Sequence, residues 1–176
     1  MEIKSIDAEK NGILTTANLM CVAARTAPKA RGIDNIVTII LTDKAISELS
    51  AKMVEIANTG YRTNTFLRDA EGVKKATALV LIGTKISTIG LDCGFCGFEN
   101  CKKLEESKGI CAYNSGDLGI AIGSAVSVAA DNRIDNRIMY TAGYAAVKNN
   151  LFGDTVKIAF GIPLATSGKN IFFERK

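Results

Sequence analysis

The sequence contains no histidine. That excludes histidine general bases, Ser-His and Cys-His nucleophile pairs, and imidazole metal ligands. A bound metal must then be held by thiolates or by oxygen ligands. Proline is scarce, with 2 residues beside 16 Gly, and the composition does not indicate disorder. Charge of one sign is also lacking. Lys+Arg number 22 against 18 Asp+Glu, a net charge of +4 spread along the chain, too small an excess for a nucleic-acid footprint. The longest weakly apolar run, Leu118 to Ala130, is far shorter than the roughly 20 residues of a membrane span. The N-terminal stretch is polar and carries Glu2, Asp7 and Glu9, unlike a signal or transit peptide. The expectation is a cytoplasmic protein with neither a nucleic-acid nor a membrane partner.

What is present suits one globular domain over residues 1–176. Hydrophobic residues make up 47% and charged residues 23% of an 18.7 kDa chain, near the averages for such domains. A chain of this size removes about 70% of its unfolded surface from water.

The hydrophobic pattern alternates between two periods. Ile13, Ala17, Met20, Cys21 and Ala24 share one helical face over 9–27, and Pro28 ends the pattern. Asn35 to Leu41 is a short β-branched run that reads as a strand buried on both faces. Thr42 or Asp43 is placed to cap a helix with Ile46, Leu49, Met53 and Ile56 inward, closed by Asn58-Thr59-Gly60. A polar helix over 64–76 and a strand from Thr77 to Ile82, ending at Gly83, follow. Beyond the cysteine segment lie a small-residue helix over Asp117–Ala130, another over 139–149, and a strand from Thr155 to Phe160 stopped at Gly161-Ile162-Pro163. The tail from Asn170 to Lys176 reads as extended. Strands separated by helices indicate an α+β or α/β domain.

The five cysteines are Cys21, Cys93, Cys96, Cys101 and Cys111. An odd total with one tight cluster does not read as a secreted disulfide framework. The cluster has the spacing C-x2-C-x4-C-x9-C. A C-x2-C turn lets two thiolates face one metal centre, and Gly94 and Gly97 let the backbone wrap closely. Four thiolates suit tetrahedral zinc or an iron–sulfur cluster. Structural zinc sites usually pair two C-x2-C turns across a longer spacer. Here three cysteines are close and the fourth is distant, which favours a 4Fe–4S cluster on Cys93, Cys96, Cys101 and Cys111. Phe95 and Phe98 are placed to shield it. Cys21, on an apolar helical face, reads as a core residue.

The run Cys93-Gly94-Phe95-Cys96-Gly97-Phe98-Glu99-Asn100-Cys101 resembles the small 4Fe–4S module of corrinoid iron–sulfur proteins, whose pattern is CG-x-CG-x3-C with a more distant fourth cysteine. Two further stretches suggest a host fold. Residues Ala23 to Asn35, containing Ala23-Ala24-Arg25-Thr26-Ala27-Pro28, are similar to the AA-x2-APS-x2-N segment of flavin-dependent nitroreductases, with Lys29 at the serine position. Asp117 to Val126 resembles their central helix, and Ile158 to Pro163 their final strand and GYP turn. Together with the cysteines, the chain resembles a family of prokaryotic proteins described as containing a ferredoxin domain. The resemblance implies a nitroreductase-like α+β sandwich, a central sheet flanked by helices, with an iron–sulfur insertion over 84–116. It also implies FMN as a second cofactor and a homodimer.

Two readings of the cations Arg25, Lys29 and Arg31 stand side by side. They bind a flavin or nucleotide phosphate, or they complement the dipole of a helix C-terminus. Lys169 is a further anion-site candidate. Tyr113 and Asp117, near the last cysteine, are candidate proton donors or, alternatively, turn-packing and capping residues. Gly119, Gly123 and Ser127, at i, i+4 and i+8, imply a closely approaching backbone, from a second copy or from the same core. The functional expectation is an iron–sulfur redox protein that works as a flavin oxidoreductase or, alternatively, as an electron carrier or redox sensor with a partner protein. A zinc-stapled structural protein is the third reading.

Overall fold

The computed structural model describes residues 2–173. Its elements are α1 (Ser5–Thr26), a 3-10 turn at Ala30–Gly32, β1 (Ile36–Thr42), α2 (Asp43–Asn58), α3 (Thr63–Lys74), β2 (Ala78–Lys85), α4 (Cys101–Glu106), α5 (Ala112–Asp131), β3 (Asp135–Asn136), α6 (Tyr140–Lys148) and β4 (Val156–Ala165). The strands form one antiparallel sheet in the order β1-β2-β4-β3. No helix of the described residues is long and apolar enough to cross a membrane.

The sheet is the middle layer of three. Side chains of a strand alternate between its faces, and β2 uses both. Ala78, Val80 and Ile82 join α1 and α5 in one apolar cluster with Met20, Leu118 and Ile162. Leu79 and Leu81 join α2, α3 and α6 in the other, with Met53, Phe66 and Met139. Each fully buried Leu, Ile, Met or Phe contributes about 1.5–3 kcal/mol. A strand covered on both faces reads as a continuous apolar run, as this one does.

The structure corrects several sequence expectations. Strand β1 is the sheet edge and is mostly half-buried rather than covered on both faces. Neither Thr42 nor Asp43 caps α2 with its side chain; the Asp43 carboxylate instead accepts from Lys10 at 3.4 Å. Strand β2 runs through Gly83 to Lys85, where a Cβ at 83 would meet Val156 Cγ1 at 2.8 Å. Strand β4 does not stop at Gly161-Ile162-Pro163 but continues to Ala165. Gly161 exchanges both backbone hydrogen bonds with Met139, so Pro163, two residues on, also aims its missing N–H away from β2. That side carries only the two-residue β3 and the isolated Met139 bridge, a short edge on which an absent donor is tolerated.

The tail is a turn over Ile171–Phe173, not an extended segment; the rest of that expectation, Glu174 to Lys176, lies outside the described residues. Phe172 is buried in its own chain's core with Phe66 and Met139. Arg137 donates to the Phe172 carbonyl at 2.8 Å and lies over the Phe173 ring.

Candidate iron–sulfur site

The cysteine segment leaves the sheet at the end of β2 and returns at the start of α5. It is irregular except for α4, whose first residue is Cys101. Asn100 caps that helix, accepting from Lys103 N–H at 3.0 Å. Asp92, at φ 48, turns back so that its carboxylate accepts from Cys101 N–H at 2.7 Å. Gly94 and Gly97 take φ 72 and 82, conformations open to glycine without penalty. Cys111 is the N-cap of α5, so this helix starts right after the last cysteine, well before the expected Asp117.

These local choices bring all four cysteines of the segment to one hollow. Cys111 is buried, Cys96 and Cys101 are half-buried, and Cys93 is exposed. The free space within is about 10 Å³, the size of one water, so the site is defined by its ring of thiols. Ile89, Leu104 and Cys111 form a small apolar cluster there, with Ala30, Phe98 and Tyr113 packed against it. Phe95 stacks on Tyr113 with centroids 5.9 Å apart. Among the described residues, no group of three Cys, Asp or Glu side chains converges tightly enough to hold a single metal ion. Four thiolates at one hollow suit a tetrahedral zinc ion or a 4Fe–4S cluster alike.

Cys21 is apart from this site, on α1. Burial pushes its thiol pKa up, against the smaller lowering effects of a hydrogen bond with Thr38 and the charge of Arg25. A protonated, half-buried thiol is a core residue rather than a nucleophile.

The three cations singled out by sequence are all engaged within the chain. Arg25 pairs with Asp34 and donates to the Ile36 carbonyl at 2.9 Å. Burial would raise the Asp34 pKa, but hydrogen bonds from Arg25 and Ile36 N–H and the charges of Arg25 and Lys29 hold it below the usual carboxylate value. Lys29 Nζ donates to the carbonyls of Ala24, Arg25 and Ala27 at the end of α1, as a cation at a helix C-terminus does. Arg31 reaches across to the cysteine segment and donates to Ile89 O at 2.9 Å and Gly90 O at 3.2 Å. Asp117 neither caps α5 nor stands free: its carboxylate accepts from Ala30 N–H at 3.1 Å. The 29–31 connection is thus fastened to the cysteine segment through Arg31 and to α5 through Asp117. Lys169 sits on the exposed turn after β4.

Sequence reasoning passed over Asn114. It is 1% exposed, follows Cys111 by three residues, and accepts from Ser87 N–H at 3.2 Å.

Comparison with known proteins bears on fold and family. Solved structures share the fold at low identity. A nitroreductase with bound FMN from Desulfitobacterium hafniense is 12% identical, with 88% of this chain and 78% of that chain covered and a TM-score of 0.61. An FMN-dependent nitroreductase from Mycobacterium smegmatis in complex with NADPH is 10% identical, with 90% and 81% covered and a TM-score of 0.60. The fold is therefore nitroreductase-like, as the sequence resemblance implied. The pattern of the family described as "Uncharacterized protein containing a ferredoxin domain (DUF2148)" matches residues 107–175. An uncharacterized protein of Archaeoglobus fulgidus is 39% identical over 184 residues, spanning 99% of this chain and 98% of that protein. With a relative this similar along its whole length and the family pattern matched in its C-terminal part, the chain belongs to this ferredoxin-domain family on a nitroreductase-like fold.

Proposed function

We propose that the protein is a cytoplasmic redox protein carrying one 4Fe–4S cluster on Cys93, Cys96, Cys101 and Cys111. The observation that carries this reading is the meeting of all four cysteines at one hollow, from a loop, a helix start and a helix N-cap. When bound, the cluster supplies one-electron transfer. The chain's residues shape its surroundings. Ile89, Leu104 and Phe98 exclude water from the buried side; Phe95, expected to shield the cluster, is 75% exposed and only stacks on Tyr113, which lines the hollow. Asp92 and Arg31 hold the segment's backbone in place. The exposed Cys93 side leaves an edge for a redox partner protein.

A flavin-dependent oxidoreductase is the second reading. It is supported by the fold shared with FMN-bound nitroreductases and by the packing of Ala30, in the flavin-like segment, against the cysteine site. The internal engagement of Arg25, Lys29 and Arg31 supports the carrier reading instead. We also place a homodimer across α5. Gly116, Gly119 and Gly123 are exposed, and a Cβ added to any of them would meet nothing within 4 Å in the same chain. Ile120 on α5 and Leu19 and Val22 on α1 are exposed as well.

The test is anaerobic purification followed by absorption spectroscopy, iron and acid-labile sulfide assays, and flavin fluorescence. About four irons and four sulfides per chain are expected. Cys21→Ala keeps that content, and Cys101→Ala lowers it. About one zinc and no iron would overturn the cluster. Stoichiometric flavin would favour the oxidoreductase over the carrier.

A further inference from the structure

We infer that the groove between α6 and the first half of β4 binds a nucleoside monophosphate, with its base at Tyr140 and Phe160 and its phosphate at Lys148 and Lys157. The groove encloses about 500 Å³ of free space, within the range of small-molecule sites. Three aromatic rings and two lysines line it, the remaining lining is aliphatic, and no lining residue is acidic. Rings combined with cations and free of carboxylates complement a planar aromatic anion.

The groove is polarised along its length. Met139 and Gly161 exchange two backbone hydrogen bonds, so Tyr140 and Phe160, which flank that bridge, share one end. From there α6 rises about 12 Å to Lys148. Strand β4 covers about 10 Å between Phe160 and Lys157. The two cations therefore share the other end, separated from the rings as a phosphate is from its base in a mononucleotide. Midway, a Cβ added to Gly143 would lie 1.9 Å from the Ala159 carbonyl oxygen. Helix and strand backbones are in contact there, which fixes the shape of the groove.

Groups at both ends remain available. Tyr140 is 37% exposed and meets Phe66 edge to face. Phe160 is half-buried and has no ring partner among the described residues. Tyr144, between the two ends, is already stacked on Tyr61 and carries Lys148 over its ring at 5.5 Å. That contact holds the Lys148 ammonium at the groove, although Lys148 also complements the negative end of α6. Lys157 has no such second task. Among the described residues it has no ion pair and no side-chain hydrogen bond. It occupies a β-bulge, since Val156 and Ile158 pair with the adjacent residues Lys85 and Thr84 and leave Lys157 without an opposite partner. Bulges re-aim a side chain at the cost of local pairing.

The closing experiment titrates the full chain with AMP, GMP, CMP and UMP by calorimetry at low salt, with adenosine and ribose phosphate as the two halves of a ligand. At least one nucleotide should bind saturably, about tenfold or more tighter than either half. Replacing both lysines, Lys148→Ala with Lys157→Ala, should weaken that binding about tenfold. Both side chains are exposed, so Tm should change little. Tyr140→Ala should weaken it several-fold, and base protons should show NOEs to the Tyr140 or Phe160 ring. Lys108→Ala, in the neighbouring cavity that Lys157 also borders and that Cys111 closes, should leave binding unchanged. No saturable binding of any of the four nucleotides at millimolar concentration would overturn the inference. So would binding indifferent to the double lysine variant, or weakened as much by Lys108→Ala. None of these outcomes requires a cluster or a flavin, so the inference and the redox reading stand or fall separately.

Discussion

The exposed small-residue stripe of α5 allows a test in which two magnitudes of opposite sign compete. The perturbation is Gly119→Ala with Gly123→Ala. Within one chain both added methyl groups enter open space, and both positions are helical. The expected gain from helix propensity is about 1 kcal/mol per site, so about 2 kcal/mol in total. For a chain of this size each kcal/mol moves Tm by about 2–4 °C, so a monomer should melt about 4–8 °C higher. In a homodimer packed across this stripe, the same methyl groups meet the partner's backbone. Overpacking costs about 1–3 kcal/mol at each site, and two-fold symmetry repeats it in both copies. The cost then exceeds the propensity gain. We expect Tm to fall and the mass in analytical ultracentrifugation to move towards one chain on dilution. The wild-type Tm should rise with protein concentration, as for any assembly linked to folding. A rise of about 4–8 °C in the variant with unchanged mass would refute packing across α5.

Further outcomes follow from other contacts. Gly143→Ala would put a Cβ 1.9 Å from the Ala159 carbonyl oxygen and 2.5 Å from Phe160 Cα. Since helix and strand backbones must separate, the loss should reach about 3 kcal/mol or more in chemical denaturation. The Arg25–Asp34 pair is stabilising with the carboxylate ionised, and Asp34 has a lowered pKa in the folded state. Its contribution is present above the ordinary value of 3.8 and is lost as pH falls through the lowered folded value. Asp34→Asn should flatten the pH dependence of Tm in that acid range and leave its slope at neutral pH unchanged. Arg31→Ala removes both bonds to Ile89 and Gly90. Limited proteolysis should then cut the 86–100 segment several-fold faster, with global Tm changed by only a few degrees.

Much of the architecture was legible because it rests on short-range pattern. The alternation of helical and strand periods named every helix except α4 and every strand except the two-residue β3. The errors have specific causes. Helix α5 begins at Ala112, its first turn closed by the Asn114 N–H donating to the Cys111 carbonyl, a start hidden in sequence by the polar run before Asp117. The continuation of β4 through Pro163 depends on which neighbour its backbone faces, which no local pattern records. The tail was expected to be extended, but Phe172 turns into a pocket built from α3 and the segment before α6, residues distant in sequence.

The sequence by itself determined the chemistry available: no imidazole, four thiols at ligand spacing, and a β2 run apolar enough to lie between two helical layers. Spacing along the chain is enough for that, since chelation and periodicity act over a few residues. The tertiary structure decided who meets whom. It set Arg31 to tie the flavin-like connection to the cysteine segment and Asp117 to tie it to α5. It turned the α5 glycines outward and buried Asn114 with one amide donor unspent. These outcomes depend on contacts between residues far apart in sequence, such as Ala30 with Asp117 and Ser87 with Asn114. The sign of each residue's contribution is settled only by burial and by the partner that folding brings to it.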